Sequence, residues 1–412
     1  MSIWRAIVVI LSFSTILILI QFYLEKYCLN LMQRVKVRRF TTYMTRILLL
    51  SIVWVFFSRI LQRSEVLPHF SFWLAFSYLG FIALLFLSTL GLRLLAWGLQ
   101  GFSHWIHNSL YDRSIYHIDH KSNQKEIVDT DRRTFLYKST ALPALTFSTG
   151  GMGYGIQNTR DPDLIEMELS FDNLPPSFDG YRMVQISDLH VGLTIRKEFV
   201  QKVVNLAMKQ SADAIMLTGD LMDGSVEELA NDMESLTHLQ ARDGVFYCTG
   251  NHEYYSGADR WVDYFQEKGF TCLLNQHHVL KRGVDQMAIC GINDLSAHKI
   301  IPSHKSDARK ALKGLTSDVF KVMLAHQPKS IQQVPSNQID LMLSGHTHAG
   351  QFFPWSLFVR LVQPYFKGLY QYDQRTQLYV NQGTGYWGPP IRINTTCEVT
   401  LITLKRSSNT HT

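Results

Sequence analysis

The chain has 412 residues, 46% of them hydrophobic and 18% charged, with 40 Lys+Arg against 34 Asp+Glu and a formal net charge of +6. This composition excludes an intrinsically disordered chain, the length allows two or three domains, and a charged fraction below the usual quarter points to a membrane-embedded portion. The charge is unevenly divided: residues 1–139 carry 16 Lys+Arg and 7 Asp+Glu, whereas residues 140–412 carry 24 and 27. The positive excess lies between apolar runs, where membrane orientation accounts for it and nucleic acid is not an expected partner.

Residues 3–24 form a long run of Ile, Leu, Val and Phe, enough at 1.5 Å per residue to cross a hydrocarbon core of about 30 Å. No small-residue cleavage site follows before Glu25 and Lys26, so a spanning helix is preferred to a signal peptide. Residues 45–62 are shorter and interrupted by Arg59, while 70–98 are ample, and each is read as a span with a buried hydrophobic helix as the alternative. The segment 25–46 holds Lys26, Arg34, Lys36, Arg38, Arg39 and Arg46, which the positive-inside rule places in the cytoplasm.

Residues 101–157 read as a basic linker containing a candidate fourth membrane segment at 140–157, rich in Gly, Thr and Ser. Before it stands Asp131-Arg132-Arg133-Thr134-Phe135-Leu136, which resembles a twin-arginine export signal, although Asp131 replaces the usual Ser or Thr and the string is internal. The reading leans to a fourth crossing, and so to an extracytoplasmic catalytic domain, with a linker behind a cytoplasmic basic stretch as the alternative. A multi-pass protein of a cell membrane, the bacterial inner membrane, is expected.

From residue 158 to 412 the texture becomes that of a globular α/β domain. Strands are predicted at 182–186, 214–217, 244–248, 271–274, 287–290, 319–324, 340–343, 377–380 and 397–404, with amphipathic helices at 196–210, 226–239 and 258–268. The chemistry gathers at the strand ends: Asp188-Leu189-His190, Gly219-Asp220-Leu221-Met222-Asp223, Gly250-Asn251-His252-Glu253, His326, and Gly345-His346-Thr347-His348. Asp188, His190, Asp220, Asn251, His326, His346 and His348 make a carboxylate, amide and imidazole set suited to Mn, Fe or Zn, with no thiolate. Seven ligands exceed one ion's needs, whereas two divalent ions sharing one carboxylate would clamp a phosphoryl group.

Singly, each motif is more often a turn or a cap. In this order, the set resembles the calcineurin-like metallophosphoesterase superfamily over roughly residues 180–405. The resemblance implies a four-layer αββα sandwich and a ligand assignment. One ion would be held by Asp188, His190, Asp220 and His348, and the other by Asp220, Asn251, His326 and His346. His252 would be the catalytic, non-ligating histidine, stabilising the phosphoryl oxygens or protonating the leaving oxygen. Asp223 and Glu253 are expected to orient ligands or cap helices.

Gly350-Gln351, Asn381-Gln382-Gly383-Thr384-Gly385 and Gly388-Pro389-Pro390-Ile391-Arg392 look like the bacterial branch of membrane-associated phosphodiesterases. Some members of that branch cleave the pyrophosphate of UDP-2,3-diacylglucosamine. Gln351 and Arg392 are candidate substrate contacts, with a structural salt bridge as the alternative for Arg392. Cys248, Cys272, Cys290 and Cys397 fall in strand-like runs and read as buried free thiols, and Cys28 follows the first helix. His117 and His120, like His277 and His278, read as surface or packing residues.

The expected function is therefore a membrane-anchored, binuclear metal-dependent phosphoesterase acting on a phosphodiester or pyrophosphate of a lipid or lipid-linked nucleotide. The alternative is a catalytically silent scaffold on the same fold, which a broken ligand set would mark; here the set is complete.

Overall fold

The computed structural model describes residues 3–28, 35–60, 69–110 and 124–407, which puts His117 and His120 outside the described residues. The chain divides into two compact units, Met1–Tyr154 and Gly155–Thr412.

The first unit is helical: α1 (Ile3–Cys28), α2 (Val35–Ile60), α3 (His69–Leu110) and most of α4 (Gln124–Gln157). Among the described residues one stretch, Phe70–Gln100 of α3, is long and apolar enough to cross a membrane. Several polar groups inside this unit bond to one another, although the buried Ser77 hydroxyl has no hydrogen-bond partner. Tyr78 of α3 donates to Gln21 Oε1 of α1 at 3.1 Å and to the Thr45 carbonyl of α2 at 3.3 Å, and Glu25 pairs with Arg46 at 2.8 Å. Thr89 and Ser148 turn their hydroxyls back to carbonyls of their own helices, and the Ser148 hydroxyl also bonds to Ser88 Oγ of α3 at 3.3 Å. The Arg132-Arg133 string lies within α4.

The second unit is built on two six-stranded sheets. In the first the order is β1 (Asp163–Phe171), β12 (Glu398–Arg406), β2 (Arg182–Ile186), β3 (Ala214–Leu217), β4 (Val245–Tyr247) and β5 (Thr271–Cys272). In the second it is β10 (Gly368–Gln371), β11 (Gln377–Val380), β9 (Leu341–Ser344), β8 (Phe320–Leu324), β7 (Asp285–Gly291) and β6 (Gln276–Arg282). β2 to β5 run parallel in one sheet, and β7, β8, β9 and β11 run parallel in the other.

Apart from the outermost β5, these strands are largely buried on both faces, which is why their sequences are mostly apolar runs. Along β3, Ala214 and Met216 point between the sheets toward Ile289, Val322 and Leu343, while Ile215 and Leu217 face outward. Outside the first sheet lie α5 (Lys197–Met208), α6 (Val226–Met233) and α8 (Ala258–Glu267). Outside the second lie α9 (Ala308–Leu312) and the 3-10 turn Pro328–Gln333. The result is the four-layer αββα order that the resemblance implied.

α5 buries Val200, Val203, Val204 and Ala207, one stripe at helical spacing. α6 opens with a capping box in which Ser225 accepts from the Glu228 N–H and the Glu228 carboxylate accepts from the Ser225 N–H at 2.9 Å. Three strands escaped the sequence reading: β1, β6 and β10. Each is the outermost strand of its sheet, half exposed and broken by polar residues, so it lacks an apolar signal. His277 and His278 sit on β6, the first 2.7 Å from the Ala311 carbonyl and the second packed on Phe246. Cys248, Cys272, Cys290 and Cys397 are buried free thiols.

Candidate metal centre

Every candidate ligand lies just beyond the carboxyl end of a parallel strand. Asp188 and His190 follow β2, Asp220 follows β3, and Asn251 and His252 open α7 (Asn251–Ser256) after β4. His326 follows β8, and His346 and His348 follow β9. Five of these residues have left-handed backbone: φ is 53° at Asp188, 50° at His190, 52° at Asp220, 71° at His346 and 50° at His348. Such conformations cost about 1–2 kcal/mol per residue and cluster where side chains must be aimed.

The loops interlock. His346 N–H donates to both Asp188 carboxylate oxygens at 2.9 Å, His190 N–H donates to the Asp220 carbonyl at 3.1 Å, and His252 N–H donates to Asp220 Oδ1 at 2.8 Å. The glycine ahead of a ligand is required by this closeness. A Cβ on Gly345 would stand 2.0 Å from Asp188 Oδ2, and one on Gly250 would stand 2.2 Å from Asp220 Oδ1. Beneath them the buried Glu253 carboxylate accepts from the N–H groups of Asp220, Leu221 and Gly250 at 3.0, 2.9 and 2.7 Å.

The side chains form three overlapping groups whose donor atoms lie within 4.8 Å of one another: Asp188, His190 and His348; His190, Asp220 and His252; and Asp220, His326 and His346. His190 Nε2 is 3.0 Å from His348 Nε2, which is 3.4 Å from Asp188 Oδ1. On the other side, Asp220 Oδ2 is 3.0 Å from His326 Nε2, which is 3.2 Å from His346 Nδ1. Asp220 therefore belongs to both halves. Asn251 adds a buried Oδ1 with no hydrogen-bond partner.

The donor chemistry fits cations. His326 Nδ1 lies 2.8 Å from the Thr218 carbonyl, so that nitrogen carries the proton. The opposite lone pair then faces a carboxylate oxygen and a second imidazole, an arrangement that only a proton or a metal ion can hold together. Asp220 responds accordingly: burial would raise its pKa, but His326, His252 and His190 hold it well below the usual carboxylate range. His326 is pulled down by burial, yet Asp220 and Asp188 push it well above an ordinary histidine. His348 is kept neutral by burial, by His190 and by the Arg392 guanidinium, whose Nη2 is 3.2 Å from His348 Nδ1.

His252 is tied through Nδ1 to Asp223, whose other oxygen is 3.4 Å from His190 Nδ1. Its Nε2 is 3.9 Å from Asp220 Oδ2. The rings of Tyr255 and Trp387 stand 5.3 and 6.0 Å from the imidazole and form an aromatic rim. The sequence reading missed this rim, although Tyr255 lies three residues after His252 on the same helix and so faces the same side.

Arg392 and Gln351 border the cluster but point into protein. Arg392 is fully buried, and its guanidinium donates to the carbonyls of Gly385 (2.6 and 3.0 Å), Gln382 (2.9 Å) and Gly383 (3.1 Å). Gln351 accepts from Trp387 N–H at 2.6 Å and donates to its carbonyl at 3.1 Å. The Asn381–Gly385 segment is itself a buttress: Thr384 N–H donates to the Ser187 carbonyl at 2.7 Å and Gly385 N–H to the Asp188 carbonyl at 2.9 Å.

Comparison with known proteins agrees with this geometry. Residues 181–350 match the calcineurin-like phosphoesterase family model. The chain is 37% identical over 264 residues to a Danio rerio transmembrane protein with a metallophosphoesterase domain, covering 62% of this chain and 60% of that one. It is 36% identical over 244 residues to an uncharacterized metallophosphoesterase of Helicobacter pylori, covering 59% and 64% respectively. It is 28% identical over 289 residues to an uncharacterized metallophosphoesterase of Bacillus subtilis, covering 67% and 98%. The matched region thus spans less than two thirds of the first two relatives. In its motifs, its paired sheets and these likenesses, the region 181–350 is similar to calcineurin-like phosphoesterase domains.

Proposed function

We propose that the chain is a membrane-anchored, binuclear metal-dependent phosphoesterase that hydrolyses a phosphodiester or pyrophosphate of a lipid or lipid-linked substrate. The observation that carries this reading is the convergence of two imidazole-rich groups on one shared carboxylate, Asp220. Asp188, His190, Asp220 and His348 would hold one divalent ion, and Asp220, Asn251, His326 and His346 the other. Bound there, the pair would polarise phosphoryl oxygens and lower the pKa of water enough to make it a nucleophile at neutral pH.

The chain's own residues supply the rest. Asp223 fixes the His252 ring through Nδ1, leaving Nε2 toward the site, where it can hydrogen-bond a phosphoryl oxygen or give a proton to the leaving oxygen. In the metal-free protein burial lowers the His252 pKa, but Asp220 and Asp223 outweigh it and raise it to about 9. Tyr255 and Trp387 flank it and exclude water from one side. Arg392 and Gln351 act here as struts, because their donors are taken by main-chain carbonyls.

The anchoring part of the reading is supported by the Phe70–Gln100 stretch and by the transmembrane relative in Danio rerio. In this reading residues 1–100 form a transmembrane region in a bacterial inner membrane. 140–157 crosses as well, which puts the domain from 158 onward outside the cytoplasm.

The test is hydrolysis of bis(p-nitrophenyl) phosphate and of a lipid-linked pyrophosphate by the full chain loaded with Mn. Asp220→Asn is expected to lower kcat/KM by at least about a thousandfold and to reduce bound metal. An unchanged rate in that variant would refute the mechanism. Reporter fusions after Thr412 test the topology separately.

A further inference from the structure

A second feature adjoins the metal centre. The helix α10 (Trp355–Val362) has no buried residue, and Leu361 is 74% exposed, Val362 71%, Phe353 63%, Phe358 53% and Trp355 52%. It is nevertheless anchored, because Ser356 packs on Gly350 so closely that a Cβ on Gly350 would stand 2.2 Å from the Ser356 Cα. Gly350 belongs to the turn that carries His348, so the apolar helix rests on the wall of the metal centre. From Gln351 to Tyr372 the sequence contains no Asp or Glu, only Arg360 and Lys367.

Against the end of this helix opens a cleft of about 410 Å³, lined by Val362 and Gln363 and by Lys299, Lys305, Lys329 and Ser306. It is built for an anion. Among the described residues none of the three lysines is in an ion pair. Ser306 is only 7% exposed, and its Oγ, which can donate to an anion, has no hydrogen-bond partner. Asp294 is engaged by the Gln327 amide at 2.9 and 3.1 Å, and Asp307, next to Ser306 in the chain, accepts from the Lys310 N–H at 2.9 Å. Gln327 directly follows His326, so cleft, helix and metal centre share their connecting loops.

We propose that α10 and this cleft form a docking surface for an anionic phospholipid bilayer. Phe353, Trp355, Phe358 and Leu361 would enter the interfacial region, while Lys299, Lys305 and Lys329 would take an anionic headgroup, with the Ser306 hydroxyl as a donor. Aromatic and aliphatic residues flanked only by cations are the composition of an interfacial helix, and the same chain carries an apolar stretch able to hold it at a membrane. Docking would present the metal centre to phosphoesters at the bilayer surface. That consequence rests on the phosphoesterase reading; the docking does not.

The experiment uses the full chain with Cys28→Ser and Leu361→Cys, spin-labelled at position 361 and reconstituted into phosphatidylcholine vesicles with or without phosphatidylglycerol. The remaining cysteines are buried. With phosphatidylglycerol the label is expected to collide more with oxygen than with a water-soluble nickel chelate, the reverse of a label at the exposed Glu267. Adding Lys305→Glu and Lys329→Glu should lower that oxygen-to-nickel ratio severalfold. A label at 361 that is as aqueous as one at 267 overturns the proposal. So does one shielded from both reagents, which would assign the face to a protein surface. Turnover of bis(p-nitrophenyl) phosphate by the same variants is expected to stay unchanged, and its absence in the parent protein would count against the phosphoesterase reading alone.

Discussion

At the scale of residues, the candidate centre is held by groups outside the candidate ligand set. Asp223 holds His190 and His252 at once, so Asp223→Asn is expected to cost about 10–100-fold in metal affinity or activity, read by metal titration and kcat/KM. Glu253 receives three main-chain donors, and an amide in its place would turn an NH2 group against them. Glu253→Gln is expected to destabilise the domain by about 2–4 kcal/mol, read as a lower Tm. In the metal-free protein the carboxylates keep His326 and His252 above their ordinary pKa, so both are protonated at neutral pH. Loading with divalent ions must displace the proton on His326. Calorimetry in two buffers of different ionisation heat is expected to show net proton release.

At the scale of elements, apolar periodicity located the amphipathic helices and most strands with a buried apolar run, the edge strand β5 among them. β3 and β11 fell where the sequence placed them, because each lies inside a sheet and reads as an uninterrupted apolar run. β1, β6 and β10 were invisible because an outermost strand pairs through its backbone on one side and can carry polar side chains. α8 shows how a helix far from the chemistry supports it: Trp261 is fully buried and its indole N–H donates at 2.9 Å to the Gly224 carbonyl, next to Asp223. Trp261→Ala is expected to cost about 3–5 kcal/mol in stability and Trp261→Phe less, measured by thermal unfolding.

At the scale of the whole molecule, the globular unit from Gly155 to Thr412 joins its two sheets through one inter-sheet core, while the candidate metal ligands come from loops of both sheets. Metal binding should therefore stabilise both sheets together. Chelation is expected to lower the unfolding temperature of the globular unit, and restoring Mn at about a hundred times its Kd should return about 2.7 kcal/mol for each ion bound. Calorimetry of the full chain with and without chelator reads this directly.

The sequence by itself determined the order of chemical groups along the chain and their attachment to strand ends. It also determined the apolar character of the first hundred residues, since composition and periodicity are local properties. Only the tertiary structure decided which groups face one another. Asp220 is shared because β3 lies between β2 and β4 in one sheet while β8 and β9 bring His326 and His346 from the other. Arg392 and Gln351 look like phosphate contacts in sequence, but three-dimensional packing surrounds them with carbonyls that take their donors. The left-handed backbone at five candidate ligands, and the exposed face of α10 beside a lysine cleft, likewise arise from contacts between segments far apart in the chain. No local pattern encodes such contacts, because each is fixed by what the remainder of the fold leaves beside it.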